Sequence, residues 1–241
     1  MTGTANRIEA VPTNIITGFL GVGKTSAILH LLKSKPANER WAVLVNEFGE
    51  IGVDGSLFQG QHSEDGNVFI REVPGGCMCC AAGLPMQIAL NQLLARAKPD
   101  RLLIEPTGLG HPIEVLEVLT AEYYFNVLSI EKIVTLVDAR NLADPRYTEH
   151  ATFNQQIAIA DVVVGNKQDL YQSQDRVQLE HYAKSKSQSE VQVLFTEQGR
   201  LSLTALEGST DASVGSDHHH HHHHSQGAEQ DSLVNTPLPE S

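Results

Sequence analysis

The 241-residue chain predicts an α/β fold, with a mostly parallel central sheet, helices on both faces and a disordered C-terminal tail. Three observations carry this. Short β-branched, apolar runs alternate with helical patterns from about residue 12 to 206, as stacked βαβ units do. The first run opens directly onto Gly18-Phe19-Leu20-Gly21-Val22-Gly23-Lys24-Thr25, a glycine-rich turn leading into a helix. Beyond residue 208 the alternation stops, and from residue 201 onward there are six acids and no Lys or Arg. The first two observations predict a P-loop NTPase domain over 1–207. The third predicts a solvated, acidic, histidine-rich tail over 208–241.

In order along the chain, residues 14–17 form the strand that enters the phosphate loop, and 26–32 carry helical periodicity. Residues 41–45 are a second strand and 68–70 a third, ending at Pro74-Gly75-Gly76. Apolar residues at helical spacing over 84–97 predict a helix that Pro99 closes. Runs at 101–104, 133–137 and 162–164 are apolar on both faces, the pattern of buried parallel strands. Residues 191–195 supply the last strand.

Seventeen basic against 29 acidic residues give a net charge of −12, which argues against a nucleic-acid partner. No run approaches the roughly 18 apolar residues a membrane helix needs, and the first residues lack the apolar stretch of a signal peptide. All three cysteines are clustered, so they make no disulfide framework, and a reducing, cytoplasmic location is expected. The seven consecutive histidines at 218–224 read either as an expression tag or as a natural metal-collecting segment, and the further 17 polar residues behind them favour the second.

Gly18-x4-Gly23-Lys24-Thr25 has the strand-to-helix context that a phosphate loop requires. Glycines let backbone N–H groups approach phosphates, and the helix N-terminus adds positive potential. Lys24 would bridge the β- and γ-phosphates while the Thr25 hydroxyl holds Mg²⁺. Glu105 ends a hydrophobic strand, where an acid orients Mg²⁺ or its water, and Gly108 would meet the γ-phosphate through its N–H. Asn166-Lys167-Gln168-Asp169 also follows a strand. The Asp169 carboxylate can accept from the N1–H and 2-amino groups of guanine, a donor pair adenine lacks, and the Lys167 stem can lie along the base. The predicted nucleotide contacts are therefore Gly18, Gly21, Val22, Gly23, Lys24, Thr25, Ser26, Gly108, Asn166, Lys167 and Asp169, with Lys24, Thr25 and Glu105 carrying hydrolysis. No residue plainly positions the attacking water. His111 is expected to cap the following helix rather than to approach phosphate. Asp138 fits either a place beside the nucleotide or a helix cap.

Cys77, Cys79 and Cys80 offer up to three thiolates within four residues, and thiolates select Zn²⁺, Cu(I) and related soft ions. Adjacent Cys79 and Cys80 tend to diverge, so one of them can fall outside the set. Tetrahedral closure needs a fourth ligand, for which Glu47 and Glu50 in Asn46-Glu47-Phe48-Gly49-Glu50 are candidates from another loop.

Taken together, the phosphate loop, Asn46-Glu47-Phe48-Gly49-Glu50-Ile51-Gly52-Val53-Asp54, Gly76-Cys77-Met78-Cys79-Cys80, Glu105-Pro106-Thr107-Gly108 and Asn166-Lys167-Gln168-Asp169 resemble the G3E family of P-loop GTPases, specifically its CobW-like metallochaperones. They occur in family order over residues 14–206. The resemblance implies GTP hydrolysis coupled to handling of Zn²⁺ or Co²⁺, with Glu50, Cys77, Cys79 and Cys80 on the metal-binding positions. It implies GTP and a client apo-metalloprotein as partners and leaves homodimerisation open. The client could be a zinc enzyme, or the role could be metal insertion in corrinoid synthesis or nitrile hydratase activation. Family members usually continue past a His-rich linker into a second α+β domain; the present sequence ends 17 residues after its histidines, which fits either a truncated chain or a stand-alone GTPase domain. A passive zinc buffer with a slow nucleotide site and a small-molecule kinase are the competing readings. The phosphate loop, Glu105 and Asp169 oppose the first, and the guanine motif opposes the second.

Overall fold

The computed structural model describes residues 8–46, 67–73 and 83–212. Eight strands and six helices alternate: β1 (Val11–Gly18), α1 (Lys24–Ser34), β2 (Trp41–Val45), β3 (Val68–Glu72), α2 (Leu84–Ala97), β4 (Arg101–Glu105), α3 (Pro112–Leu119), β5 (Leu128–Ile130), β6 (Val134–Val137), α4 (Pro145–Thr148), α5 (Ala151–Ala158), β7 (Val162–Gly165), α6 (Ser173–Lys186) and β8 (Gln192–Phe195). They form one sheet in the order β3-β2-β4-β1-β6-β7-β8, with β5 paired to β1, and every strand pairing is parallel.

Both faces of the sheet are apolar because both are covered. Ile15 points toward a core shared with α2 and α3, where Met86, Leu90, Leu93 and Leu116 are buried. The next residue, Ile16, points the other way, into a core made with Ala27, Ile28 and Leu31 of α1 and with Leu201, Ala205 and Leu206. This period of two repeats in β7, where Val163 packs with Phe153 and Ile157 of α5 and Leu179 of α6, while Val162 and Val164 join the α1 side. A fully buried aliphatic side chain such as Ile15 contributes about 2 kcal/mol.

The strand order reverses at β1. Its neighbours are β4 on one side and β6 on the other, so the loop that leaves β1 sits in the crevice at the carboxyl end of the sheet. Open α/β sheets bind ligands at such a point. The opposite edge is stitched shut. Asn14 donates to the Lys132 and Leu206 carbonyls, both at 2.9 Å, and accepts from Arg101 at 2.6 Å. Asp161 accepts from Ile133 N at 2.7 Å and from Asp211 N at 2.9 Å. Lys132 N donates to Gly208 O at 2.9 Å, and Glu131 forms an antiparallel bridge with Ser209. Residues 208–212, which composition assigned to the tail, are thus docked on the domain; residues 213–241, with the histidine run, lie outside the described residues.

Candidate functional site

The phosphate loop wraps the end of β1 as its sequence requires. Gly23 is the N-cap of α1 at φ +94°, and a Cβ there would lie 2.5 Å from Asn166 Nδ2. Gly18, at φ +142°, would bring a Cβ to 2.4 Å from the Leu136 carbonyl of the neighbouring strand. Neither position admits a side chain, so both glycines are dictated by backbone conformation and by close approach. Val22 is buried, Gly21 has open space around it and Ser26 follows in the first turn of α1.

Lys24 is buried and turned back over the loop, its ammonium 3.4 Å from the Phe19 carbonyl. The Thr25 hydroxyl is 3.4 Å from Glu105 Oε1, the buried acid at the end of β4. Both distances are at the long limit of a hydrogen bond. A hydroxyl and a carboxylate facing each other across a cleft are the hard oxygen donors a Mg²⁺ ion takes. Gly108 packs against the phosphate loop so closely that a Cβ would lie 2.8 Å from Leu20 N. It is held there by Gln156 of α5, whose amide donates to the Gly108 carbonyl at 3.1 Å.

Three strands away, the base-reading motif is tied to the same loop. Asn166 Nδ2 donates to the Val22 carbonyl at 2.8 Å, and its Oδ1 accepts from Gly199 N at 3.1 Å. Gly199 presses on the first turn of α1, where a Cβ would lie 2.5 Å from Ala27 N. Lys167 takes a left-handed conformation at φ +62° and caps the 3-10 turn Gln168–Leu170, which carries Asp169 outward. Lys24, Thr25, Glu105, Gly108, Asn166, Lys167 and Asp169 therefore converge on one edge of the sheet.

Some residues act differently from expectation. His111 occupies the N-cap of α3, but its side chain makes no capping bond and instead meets Gln155 Oε1 at 3.0 Å. His150 caps α5, accepting from Thr152 N at 3.2 Å, and packs edge-on against Phe19. Asp138 acts as a cap, of the 3-10 turn Ala139–Ala143, and its carboxylate lies 3.5 Å from the Lys167 ammonium of the base-reading motif. Burial works against its charge, yet the Arg140 hydrogen bonds and the Arg140 and Lys167 charges hold its carboxyl below the usual carboxylate range. Gln156, Gly199 and Tyr171 had no motif to mark them.

Glu47, Glu50, Cys77, Cys79 and Cys80 lie outside the described residues, and among the described residues no cluster of His, Cys, Asp or Glu is arranged to hold a metal. What is described is the approach to them. Val45 of β2 pairs with Glu105 on one side and Glu72 of β3 on the other. The chain toward Glu50 and the chain toward the cysteines thus leave strands that are first and second neighbours of the Glu105 strand, about 5 and 10 Å away.

The family profile described as CobW/HypB/UreG, nucleotide-binding domain, matches residues 12–195. The zinc chaperone YeiR of Escherichia coli (strain K12) is 54% identical over 157 residues, covering 65% of this chain and 46% of that protein. The zinc-regulated GTPase metalloprotein activator 1 of Schizosaccharomyces pombe is 31% identical over 170 residues, covering 69% of this chain and 41% of its own length. The chain spans about half the length of the curated relatives it matches. Among solved structures, the Zn(II)-bound YjiA GTPase from E. coli superposes with a TM-score of 0.58 at 24% identity, over 82% of this chain and 61% of that one, which shows the shared fold.

Proposed function

We propose that this chain, which belongs to the CobW/HypB/UreG nucleotide-binding domain family, is a GTP-hydrolysing zinc metallochaperone. The observation that carries the nucleotide half is the 2.8 Å bond from Asn166 to the Val22 carbonyl, which joins the guanine-reading turn to the phosphate loop in one site. The zinc half is supported by the three clustered thiols and by the 54% identity to a protein named a zinc chaperone.

In this reading the α1 N-terminus and Lys24 hold the phosphates, and Asp169 selects guanine over adenine. Thr25 and Glu105 would hold Mg²⁺, which would supply neutralisation of the phosphate charge. Lys24 adds a fixed positive charge where negative charge develops, and Gly108 presents its N–H from a loop braced by Gln156. Zinc is cargo, taken by Cys77, Cys79, Cys80 and Glu50 as thiolates and carboxylate, with Co²⁺ as the second ion this donor set accepts. Delivery is to a client apo-metalloprotein in the cytoplasm. No helix among the described residues is long and apolar enough to cross a membrane.

The strands leading to Glu50 and to the cysteines are the first and second neighbours of the Glu105 strand on one side, so movement at the nucleotide end can pass to both through adjoining backbone. Nucleotide and zinc should then change each other's affinity by the same factor, as linkage requires. The test is zinc affinity by chelator competition in GTP-analogue, GDP and nucleotide-free states, on the natural chain and on Cys79→Ser. Three equal affinities in the natural chain would leave a GTPase with an unconnected zinc site. Equal turnover of ATP and GTP would remove the guanine assignment.

A further inference from the structure

The base-reading turn needs support that its own four residues do not provide. Lys167 sits in the left-handed region at φ +62°, which costs energy for a residue with a Cβ. Its turn is a single 3-10 turn, and Asp169 is exposed at its tip. Two cations lie near that tip. One is Lys167 itself; the other is Arg140, whose guanidinium shares the Asp138 Oδ2 atom with the Lys167 ammonium. A guanidinium left without a partner beside this turn would pair with the Asp169 carboxylate and take it from a base, since an arginine fork matches a carboxylate in a bidentate way.

Asp138 prevents that pairing. It takes Arg140 Nε at 2.9 Å on Oδ1 and Nη2 at 2.7 Å on Oδ2, and holds the Lys167 ammonium at 3.5 Å. Its side chain is buried, whereas those of Arg140 and Lys167 are 42% and 37% exposed, so the carboxylate is the fixed member and the cations come to it. Tyr171 completes the frame. Its phenol accepts from Ala139 N at 2.9 Å and donates to the Asn166 carbonyl at 2.5 Å, with the Val137 carbonyl 3.3 Å away. One oxygen thus joins the end of β6 to the end of β7, directly behind Lys167. Burial above all raises the Tyr171 phenol to about 12, so it keeps its proton, and its donor role, through the neutral range.

We infer that Asp138 and Tyr171 are specificity-positioning residues: Asp138 engages Arg140 and Lys167 so that the Asp169 carboxylate stays available to the guanine edge, and Tyr171 fixes the turn that presents it. The inference rests on the guanine-nucleotide reading of the site. It concerns how the base is read, far from the bond that breaks, so its signature is a change in base discrimination rather than in turnover.

The probe is inosine triphosphate, which lacks the 2-amino group that Asp169 would accept from. In the full-length chain GTP should bind about tenfold or more tighter than ITP, the worth of one hydrogen bond to a charged acceptor. Asp138→Asn should shrink that ratio by about tenfold while kcat at saturating GTP stays within about twofold, because Arg140 then moves onto Asp169. Adding Arg140→Ala to Asp138→Asn should restore part of the ratio, which a simple loss of folding would not do. Tyr171→Phe, nearly isosteric, should also lower the ratio, and thermal melts of each variant show that binding is compared on folded protein. A natural chain that binds GTP, ITP and ATP alike would remove the guanine reading itself. A natural chain that discriminates, with Asp138→Asn and Tyr171→Phe discriminating equally well, would overturn this inference alone. Should Asp138→Asn not fold, an unchanged ratio in Tyr171→Phe overturns it.

Discussion

The two ends of one sheet are built on opposite rules. At the amino end, buried polar groups are satisfied internally and at short range. Asn14 uses both amide hydrogens and its oxygen at 2.6 to 2.9 Å, and Asp161 uses both oxygens at 2.7 and 2.9 Å. At the carboxyl end the supports are as short, with Asn166 at 2.8 Å from Val22 O and Arg140 at 2.7 and 2.9 Å from Asp138, but the Lys24 ammonium meets Phe19 O and the Thr25 hydroxyl meets Glu105 at 3.4 Å. A short, saturated network has no capacity left for a ligand and contributes to stability. A contact as long as that between Thr25 and Glu105 can give way to a ligand at little cost. The same parallel strands carry both, so the difference is made by the residues at their tips and not by the sheet.

The contrast can be broken from either end. Lys24→Ala should produce the largest change, a fall in GTP turnover of about 10³-fold or about 4 kcal/mol of transition-state stabilisation, with unfolding free energy unchanged within about 0.5 kcal/mol. Steady-state phosphate release and urea denaturation on one preparation measure both. Asn14→Ala should do the converse. It leaves two carbonyls and a guanidinium short of partners and should cost about 3 kcal/mol of stability, with little change in kcat at temperatures where the domain stays folded. Loss of turnover without loss of stability in Asn14→Ala would erase the division between the ends.

Gly23→Ala tests the one position where the division narrows, because the new methyl meets Asn166 while φ is +94°. About 2 kcal/mol should be lost from nucleotide affinity, read by titration with a fluorescent GDP. The smallest effect belongs to Asp138, whose carboxyl is held low in the folded state. Its contribution to stability is fully present above the ordinary carboxylate value of about 3.9 and fades only as pH falls through the lower folded value. Denaturation curves of the natural chain and Asp138→Asn should therefore differ at pH 6 and converge below about pH 4. A difference that stays undiminished as pH falls below about 4 would assign the effect to packing.

Much of the carboxyl end was legible in the sequence because its chemistry sits in contiguous motifs. Glycine spacing marked the loop, and continuous apolar runs marked β1, β2, β4, β6, β7 and β8, since strands buried on both faces need no polar alternation. The three-residue β5 was too short to register, and α6 escaped because only Leu179, Ala183 and Asp175 of its surface are buried. The amino end was silent for a different reason. Asn14 meets Leu206 across 192 positions, and Asp161 meets Asp211 across 50, so no local pattern reports either contact. Tyr171 and Gln156 share that origin, as polar residues whose roles arise from which strand end folds next to which. The glycine, lysine and asparagine of the nucleotide edge announce themselves; their supports do not.

Asp161 and Gly208 also decide where the chain departs. Held at the starts of β6 and β7, residues 208–212 lead away from the end of the sheet that faces opposite the nucleotide, about one strand length or ~17 Å from it. Trimming the chain behind Ala212 should therefore leave guanine-nucleotide affinity unchanged, as read by titration with a fluorescent GDP, because the last contacts of 208–212 are made at the far end of the sheet.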